Sequence, residues 1–222
     1  MIARVGRTSR HPRWGLLACT VAIASCAAED RPPGPAETES RAPATKAVGS
    51  LVATVPGRAG PALVALEPRS AYDNEPPASA ALIDQFGYTF EPPLSIAQQG
   101  QPVRFGNSED VDHHVRVAHA ETRAVVVNTN LLMDESVEHV FAEPGPYTVR
   151  CDIHPAMMAV ILVLSHPYGA VTNNAGEFRI DGIPPGAYDL SGWDVAGEQF
   201  IELAVQVSKP ADGIELELNP RE

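Results

Sequence analysis

The sequence predicts an all-β protein, and three observations lead to this fold class. The apolar runs are short and rich in Val, Ile, Leu and Ala, which is typical of strands. Outside the extreme N-terminus, no long segment repeats its apolar residues with the 3.6-residue period of a helix. Turns are frequent, because the 222 residues include 21 Pro and 17 Gly. A chain of this length can form one large domain or two small domains with real cores.

The first 25 residues have the pattern of an export signal. Four Arg and no acidic residue precede an apolar stretch, residues 14–24, that is too short to span a bilayer as a permanent helix. The stretch leads into Ile-Ala-Ser-Cys26, which resembles a bacterial lipobox, so we expect Cys26 to carry lipid and become the mature N-terminus. An ordinary signal peptide, cleaved near Ala27 or Ala28, is the alternative. We therefore expect an exported protein, either a periplasmic or a cell-surface lipoprotein.

Residues 26–47 are rich in Pro, Ala, Glu and Thr, and this composition predicts a tether between the lipid and a folded body. Short strands separated by turn residues follow, a pattern that favours β-sandwiches. The predicted strands are residues 49–55, 62–66, 88–90, 94–96, 103–105, 113–118, 124–128, 137–141, 147–151, 158–164, 177–180, 199–207 and 214–218. Residues 183–190 are predicted to be a turn that leads into a further strand.

The end of the chain contains too few strands to form a sandwich alone, since residues 167–222 hold only four. The two strands in residues 48–67 could supply the missing ones. We therefore expect residues 48–67 to pair with residues 167–222, and residues 68–166 to form a domain inserted between them.

The segment from Tyr147 to Met157 carries the strongest chemical signal in the chain. Cys151, His154 and Met157 offer a thiolate, an imidazole and a thioether within seven residues, and His113 or His114 offers a second imidazole. Two His, one Cys and a weak Met are the donors of a trigonal copper site for electron transfer. Thiolate and thioether suit the cuprous ion and imidazole suits both oxidation states, so one copper could cycle by one electron.

The cysteine count supports a metal-bound thiolate. Cys19 would leave with the signal and Cys26 would carry lipid, so Cys151 would have no partner for a disulfide. A lone thiol in an oxidising compartment is a liability, whereas a thiolate bound to a metal is protected.

The charge of the chain argues against nucleic-acid binding. Removing residues 1–25 removes four Arg and no acidic residue, so 16 Lys and Arg against 28 Asp and Glu become 12 against 28, a formal charge of −16. Such an acidic surface repels nucleic acid and could steer a basic protein partner.

The spacing Cys151-x-x-His154-x-x-Met157, with Pro155 after the His, resembles the ligand loop of cupredoxins and of amicyanin in particular. Residues 103–115 resemble the cupredoxin strand whose first ligand follows a turn that contains Asn and Asp. This resemblance covers about residues 82–165 and implies a cupredoxin Greek-key β-sandwich. The copper ligands that it implies are His113, Cys151, His154 and Met157.

Two further residues are expected beside the ligands. Adjacent strand residues point to opposite faces, so only one of His113 and His114 can bind, and alignment on the following Val-x-Val favours His113. His114 and Asn107 are then expected to support the ligand loops. For the axial ligand, the amicyanin-like spacing favours Met157, with Met158 as the alternative.

A wider resemblance covers nearly all of the mature chain. The phrases Cys151-Asp-Ile-His154 and Asn174-Ala-Gly-Glu-Phe-Arg-Ile-Asp-Gly-Ile-Pro-Pro-Gly-Ala-Tyr188 are among those that resemble exported plastocyanin-like proteins, often labelled methylamine-utilisation proteins. These proteins join a cupredoxin to a carboxypeptidase-regulatory-like module. The resemblance implies a small transthyretin-like β-sandwich at residues 167–222.

We therefore expect a type 1 copper protein that transfers single electrons to a redox partner protein and is not an enzyme. The alternative is a structural, storage or delivery role for copper, with the outer module binding a partner or a glycan. A zinc site with one Cys and two His ligands is a third possibility, but no general base is evident beside it.

Overall fold

The computed structural model describes residues 49–55, 60–73, 75–207 and 214–217, and every regular element within these ranges is a strand. The all-β prediction is confirmed. The described residues include no helix that is long and apolar enough to cross a membrane. The strands are β1 (Gly49–Thr54), β2 (Leu63–Pro68), β3 (Ala81–Phe86), β4 (Thr89–Glu91), β5 (Leu94–Gln98), β6 (Pro102–Asn107), β7 (His113–His119), β8 (Val125–Leu131), β9 (Ser136–Val140), β10 (Gly145–Arg150), β11 (Met158–Leu164), β12 (Gly169–Val171), β13 (Glu177–Ile183), β14 (Gly186–Trp193), β15 (Gln199–Val207) and β16 (Ile214–Glu217).

Two sheets form a sandwich in the middle of the chain, called here the inner sandwich. One sheet has the strand order β4-β3-β6-β9 and the other has the order β5-β11-β10-β7-β8. Phe105, Phe141 and Ile161 are among the fully buried side chains of the core between them. Burial alternates along β7, so His113 points into this sandwich and His114 points away from its core.

A second pair of sheets, called here the outer sandwich, combines strands from both ends of the described chain. Its sheets have the orders β13-β1-β16 and β12-β2-β14-β15. β1 pairs with β13, where Leu51 lies opposite Ile180, and β2 pairs with β14, where Leu66 lies opposite Leu190. These four side chains belong to the core of the outer sandwich.

The two sandwiches pack against each other through a third group of buried residues, which we call the junction cluster. This cluster explains why residues 63–66 of β2 and the whole of β11 are apolar without a break. Alternate residues of each strand face a sandwich core and the junction, so both faces are buried. The junction cluster consists of Leu63, Ala65, Leu94, Val160, Leu162 and Leu164, with Ile96 and Trp193 packed against it.

The turn before β10 is built to deliver Cys151 to the end of the inner sandwich. Gly145 has a φ of 132°, and a Cβ atom there would lie 2.6 Å from Nε2 of His119, so a side chain would not fit. The Tyr147 hydroxyl donates a hydrogen bond to the Glu143 carbonyl at 3.0 Å, which fixes the start of the strand. β10 then runs to Arg150, and Cys151 follows directly.

Candidate metal centre

Two loops at one end of the inner sandwich bring the candidate ligands together. β7 and β10 are antiparallel neighbours, with Arg116 opposite Arg150, so the start of β7 lies beside the end of β10. His113 opens β7, and the loop of residues 151–157 connects β10 to β11. Residues that are 38 or more positions apart in the sequence therefore meet at this end.

The side chains of His113, Cys151 and His154 form a compact donor group. Their nitrogen and sulfur ligand atoms all lie within 4.8 Å of one another. The two Nδ1 atoms are 3.1 Å apart, and Cys151 Sγ is 3.7 Å from His154 Nδ1. His113 and Cys151 are buried, whereas His154 is partly exposed. A metal ion that binds both nitrogens needs each of them without a proton, as metal ligands must be.

The Cys151 sulfur is held by two backbone amides. The N–H groups of His114 and His154 each donate to Sγ at 3.3 Å. Each amide directs the positive end of its dipole toward the sulfur, an arrangement that favours negative charge there and fixes the direction of the sulfur lone pairs. One of these amides comes from each ligand loop, so the sulfur ties the two loops together.

The His113 ring contacts a carboxylate on the side away from the other donors. Its Nε2 lies 2.7 Å from Oε2 of Glu109, and the same oxygen accepts a hydrogen bond from the Tyr88 N–H at 3.1 Å. Burial by itself would raise the pKa of the Glu109 carboxyl, but hydrogen bonds from Tyr88, His113 and the Gly87 N–H together lower it. Sequence analysis missed Glu109; its position four residues before His113 was the available signal.

Asn107 organises the loop that carries Glu109. Its side-chain Nδ2 donates to the carbonyls of Val111 at 2.8 Å and Leu131 at 3.0 Å, and its Oδ1 accepts the Glu109 N–H at 3.0 Å. This buried amide therefore has three hydrogen bonds within the loop and to the end of β8. Its role is to shape the loop, and its bonds go to backbone groups rather than to a ligand ring.

His114 takes part in the centre mainly through its backbone. Its Nδ1 lies 3.6 Å from Oδ2 of Asp152, which is too long for a hydrogen bond, and this nitrogen has no hydrogen-bond partner among the described residues. The link between the two ligand loops is the His114 N–H that donates to Cys151.

The two candidate axial methionines differ in burial. Met157 is 1% exposed and belongs to the core of the inner sandwich, whereas Met158 is 37% exposed at the start of β11. The carbonyl of Met157 accepts the Cys151 N–H at 3.3 Å, so the two residues close the loop that contains His154. The buried thioether of Met157 is therefore the better candidate of the two.

The predicted signal peptide, the lipid attachment at Cys26 and the tether all lie outside the described residues. Among the described residues, Cys151 is a free, buried cysteine.

Comparison with solved structures finds similarity to copper proteins over part of the chain. Amicyanin from Paracoccus versutus is 24% identical over 39% of this chain and 83% of that chain, with a TM-score of 0.35. A purple cupredoxin from Nitrosopumilus maritimus is 23% identical over 37% of this chain and 98% of that chain, with a TM-score of 0.33. A copper-containing nitrite reductase from Thermus scotoductus is 24% identical over 44% of this chain and 25% of that chain, with a TM-score of 0.36.

No family model matches the chain, and no curated protein matches it. At the TM-scores above, the structural similarities decide nothing about function. The function is therefore inferred from the donor atoms themselves.

Proposed function

We propose that the protein binds one copper ion through His113, Cys151 and His154 and transfers single electrons outside the cytoplasm. The observation that carries this proposal is the convergence of one sulfur and two imidazole nitrogens within 4.8 Å. A thiolate combined with two imidazoles is the donor set of electron-transfer copper sites. It suits both oxidation states of copper, because the sulfur favours the cuprous ion and the imidazoles accept either.

We propose that Met157 would be a further, weak thioether ligand of the copper ion. Its side chain is buried in the core beside the loop that holds Cys151 and His154. A bound copper ion would supply the one-electron redox chemistry, and the strength of the thioether contact would tune the potential.

The surrounding residues would keep the donor atoms in place during electron exchange. Cys151 is restrained by two amide hydrogen bonds, and the Met157 N–H donates to the His154 carbonyl at 2.9 Å. Restrained donors need little rearrangement when the charge on the metal changes. We propose a carrier rather than an enzyme, because this donor set accounts for electron transfer without any group that acts on a substrate.

The electron would leave through His154 to a basic protein. His154 is the one partly exposed member of the donor group, and the exposed side chains of Tyr88 and Ile153 lie next to it in space or in sequence. The formal charge of −16 expected after export favours a basic partner. Export and lipid attachment at Cys26 remain part of this proposal.

Copper titration of the exported chain tests the proposed function. Residues 27–222 are titrated with copper(II) while visible and EPR spectra are recorded. We expect an intense thiolate-to-copper band with a narrow parallel hyperfine splitting, and its loss in Cys151→Ala. Weak d–d absorption alone, or copper binding that survives Cys151→Ala, would contradict the proposal. Rapid loss of copper to a metal-free acceptor protein would indicate a delivery role instead.

A further inference from the structure

We propose that Glu109 is the positioning residue of this metal centre: its carboxylate orients the His113 ring and also holds Tyr88 over His154. The inference rests on the copper site proposed above and extends it to a residue outside the ligand set. Three features of the structure carry it: the contact with His113, the contact with the turn between β3 and β4, and the loop that fixes Glu109.

The contact with His113 determines which ring nitrogen is free. A carboxylate only accepts hydrogen bonds, so the 2.7 Å contact to Glu109 places the ring proton of His113 on Nε2. The lone pair of Nδ1 is then available, and Nδ1 is the atom that lies 3.1 Å from His154 Nδ1 within the donor group. A carboxylate in this position also makes the imidazole a stronger donor to a metal.

The contact with the β3–β4 turn places an aromatic ring over the second imidazole. Gly87 and Tyr88 both have positive φ values, 64° and 58°, as in the two-residue turn of a hairpin. The Glu109 carboxylate accepts the Tyr88 N–H at 3.1 Å. The Tyr88 ring meets the His154 ring edge-on, with the centroids 5.0 Å apart, and remains 52% exposed. It therefore covers part of the exposed ligand.

The position of Glu109 itself is fixed by Asn107. Its backbone N–H donates to the buried side chain of Asn107, and its own side chain is only 14% exposed, so little water competes for the carboxylate. One restrained carboxylate thus connects the inner ligand His113 with the residue that covers the outer ligand His154.

Copper affinity of matched variants tests this role. The full-length chain is compared with Glu109→Ala, with Glu109→Gln, which keeps one acceptor oxygen without the charge, and with Glu67→Gln. Glu67 is the matched control, because its Oε2 also lies 2.7 Å from Nε2 of a buried His, His166, which is outside the donor group. We expect copper(II) affinity to fall about 10- to 100-fold in Glu109→Ala, less in Glu109→Gln, and not at all in Glu67→Gln.

A second measurement uses the metal-free protein. Long-range ¹H–¹⁵N correlation spectra report the tautomer of each histidine ring. We expect His113 to be a single Nε2–H tautomer in the wild type and a mixture of tautomers in Glu109→Ala. Wild-type copper affinity together with an unchanged His113 tautomer in Glu109→Ala would overturn the inference. Equal loss of affinity in the Glu67→Gln control would overturn it as well, because the effect would then be a general loss of stability.

Two further outcomes can be distinguished: a Glu109→Ala variant that does not fold, and a wild type that shows no copper band. If Glu109→Ala does not fold, Glu109→Asp keeps the charge on a side chain one methylene shorter, and wild-type affinity and tautomer in that variant would overturn the inference. If the wild type shows no thiolate-to-copper band, the proposed function fails, whereas the tautomer measurement still decides the role of Glu109.

Discussion

His113 and His166 form two histidine–carboxylate pairs, which differ most in the contact that the ring Nδ1 makes. Both rings are fully buried, and each Nε2 lies 2.7 Å from a glutamate oxygen, that of Glu109 or Glu67. Nδ1 of His113 faces the sulfur and imidazole of the donor group, whereas Nδ1 of His166 accepts the Tyr168 N–H at 3.1 Å. The second pair therefore has no lone pair left for a metal.

The comparison shows that burial beside a carboxylate does not make a histidine a ligand. The contact of Nδ1 determines whether the histidine can be a ligand. An imidazole nitrogen that already accepts a backbone hydrogen bond must lose that bond before it can bind a metal. The carboxylates differ as well, since Glu67 is 41% exposed and its contact lacks the alignment of a hydrogen bond. His166 thus has a structural role near the junction between the sandwiches.

The largest expected effect comes from exchanging each histidine for glutamine. His113→Gln should abolish the thiolate-to-copper band, because the trigonal donor set loses a nitrogen. His166→Gln should leave the band unchanged and lower the free energy of unfolding by about 1–3 kcal/mol, since it leaves buried polar groups without their partner. Copper titration and urea unfolding of the metal-free variants measure both effects. Loss of the thiolate-to-copper band in His166→Gln would contradict a purely structural role for His166.

The next largest effect concerns the junction cluster between the inner and outer sandwiches. Leu162→Ala should lower the free energy of unfolding by about 2–5 kcal/mol, because the residue is fully buried and its loss leaves a cavity. The copper spectrum should not change, since Leu162 faces away from the core of the inner sandwich. Leu203→Ala is the matched control: this leucine on β15 is 41% exposed, and its loss should change stability by less than about 0.5 kcal/mol. Equal effects of the two variants in urea unfolding would contradict the buried role of Leu162.

The smallest expected effect is a loss of folding stability at alkaline pH. It arises at Tyr168, whose ring stacks on that of His166. Burial raises the pKa of Tyr168, and the hydrogen bond and charge of Tyr72 raise it further. The folded state therefore keeps this proton longer than the unfolded state, so the contribution is fully present below about pH 10 and is lost as pH rises through the higher folded pKa. Urea unfolding between neutral and alkaline pH should show a shallower decline for Tyr168→Phe. The same decline as in the wild type would assign the alkaline sensitivity to other groups.

The predictions of the all-β fold and of the candidate donor residues both rest on local sequence patterns. Cys151, His154 and Met157 lie on one short loop, so their spacing alone constrains where they can point. The structure brings His113 to this loop, although copper binding by these residues stays a prediction. Glu109 was missed because a charged residue in a polar turn usually faces solvent, and its contact with Tyr88 comes from a separate hairpin.

The packing of the two sandwiches could not be predicted from local patterns. An unbroken apolar strand such as β11 is compatible with several kinds of two-sided burial, and only long-range pairing determines which one occurs. The Glu67–His166 contact joins residues about 100 positions apart and has no local signal.

The strand pairing of the outer sandwich also sets an order of events during synthesis. β1 and β2 leave the ribosome first, but their partners β12, β13, β14 and β16 follow the whole inner sandwich. The inner sandwich, with all its strands between Ala81 and Leu164, can complete itself while β1 and β2 still lack partners. The β2 residues that face the outer core, Val64 and Leu66, then stay exposed until β12 and β14 arrive. Interrupting the chain after residue 164 would leave the donor residues complete and this early strand open to aggregation.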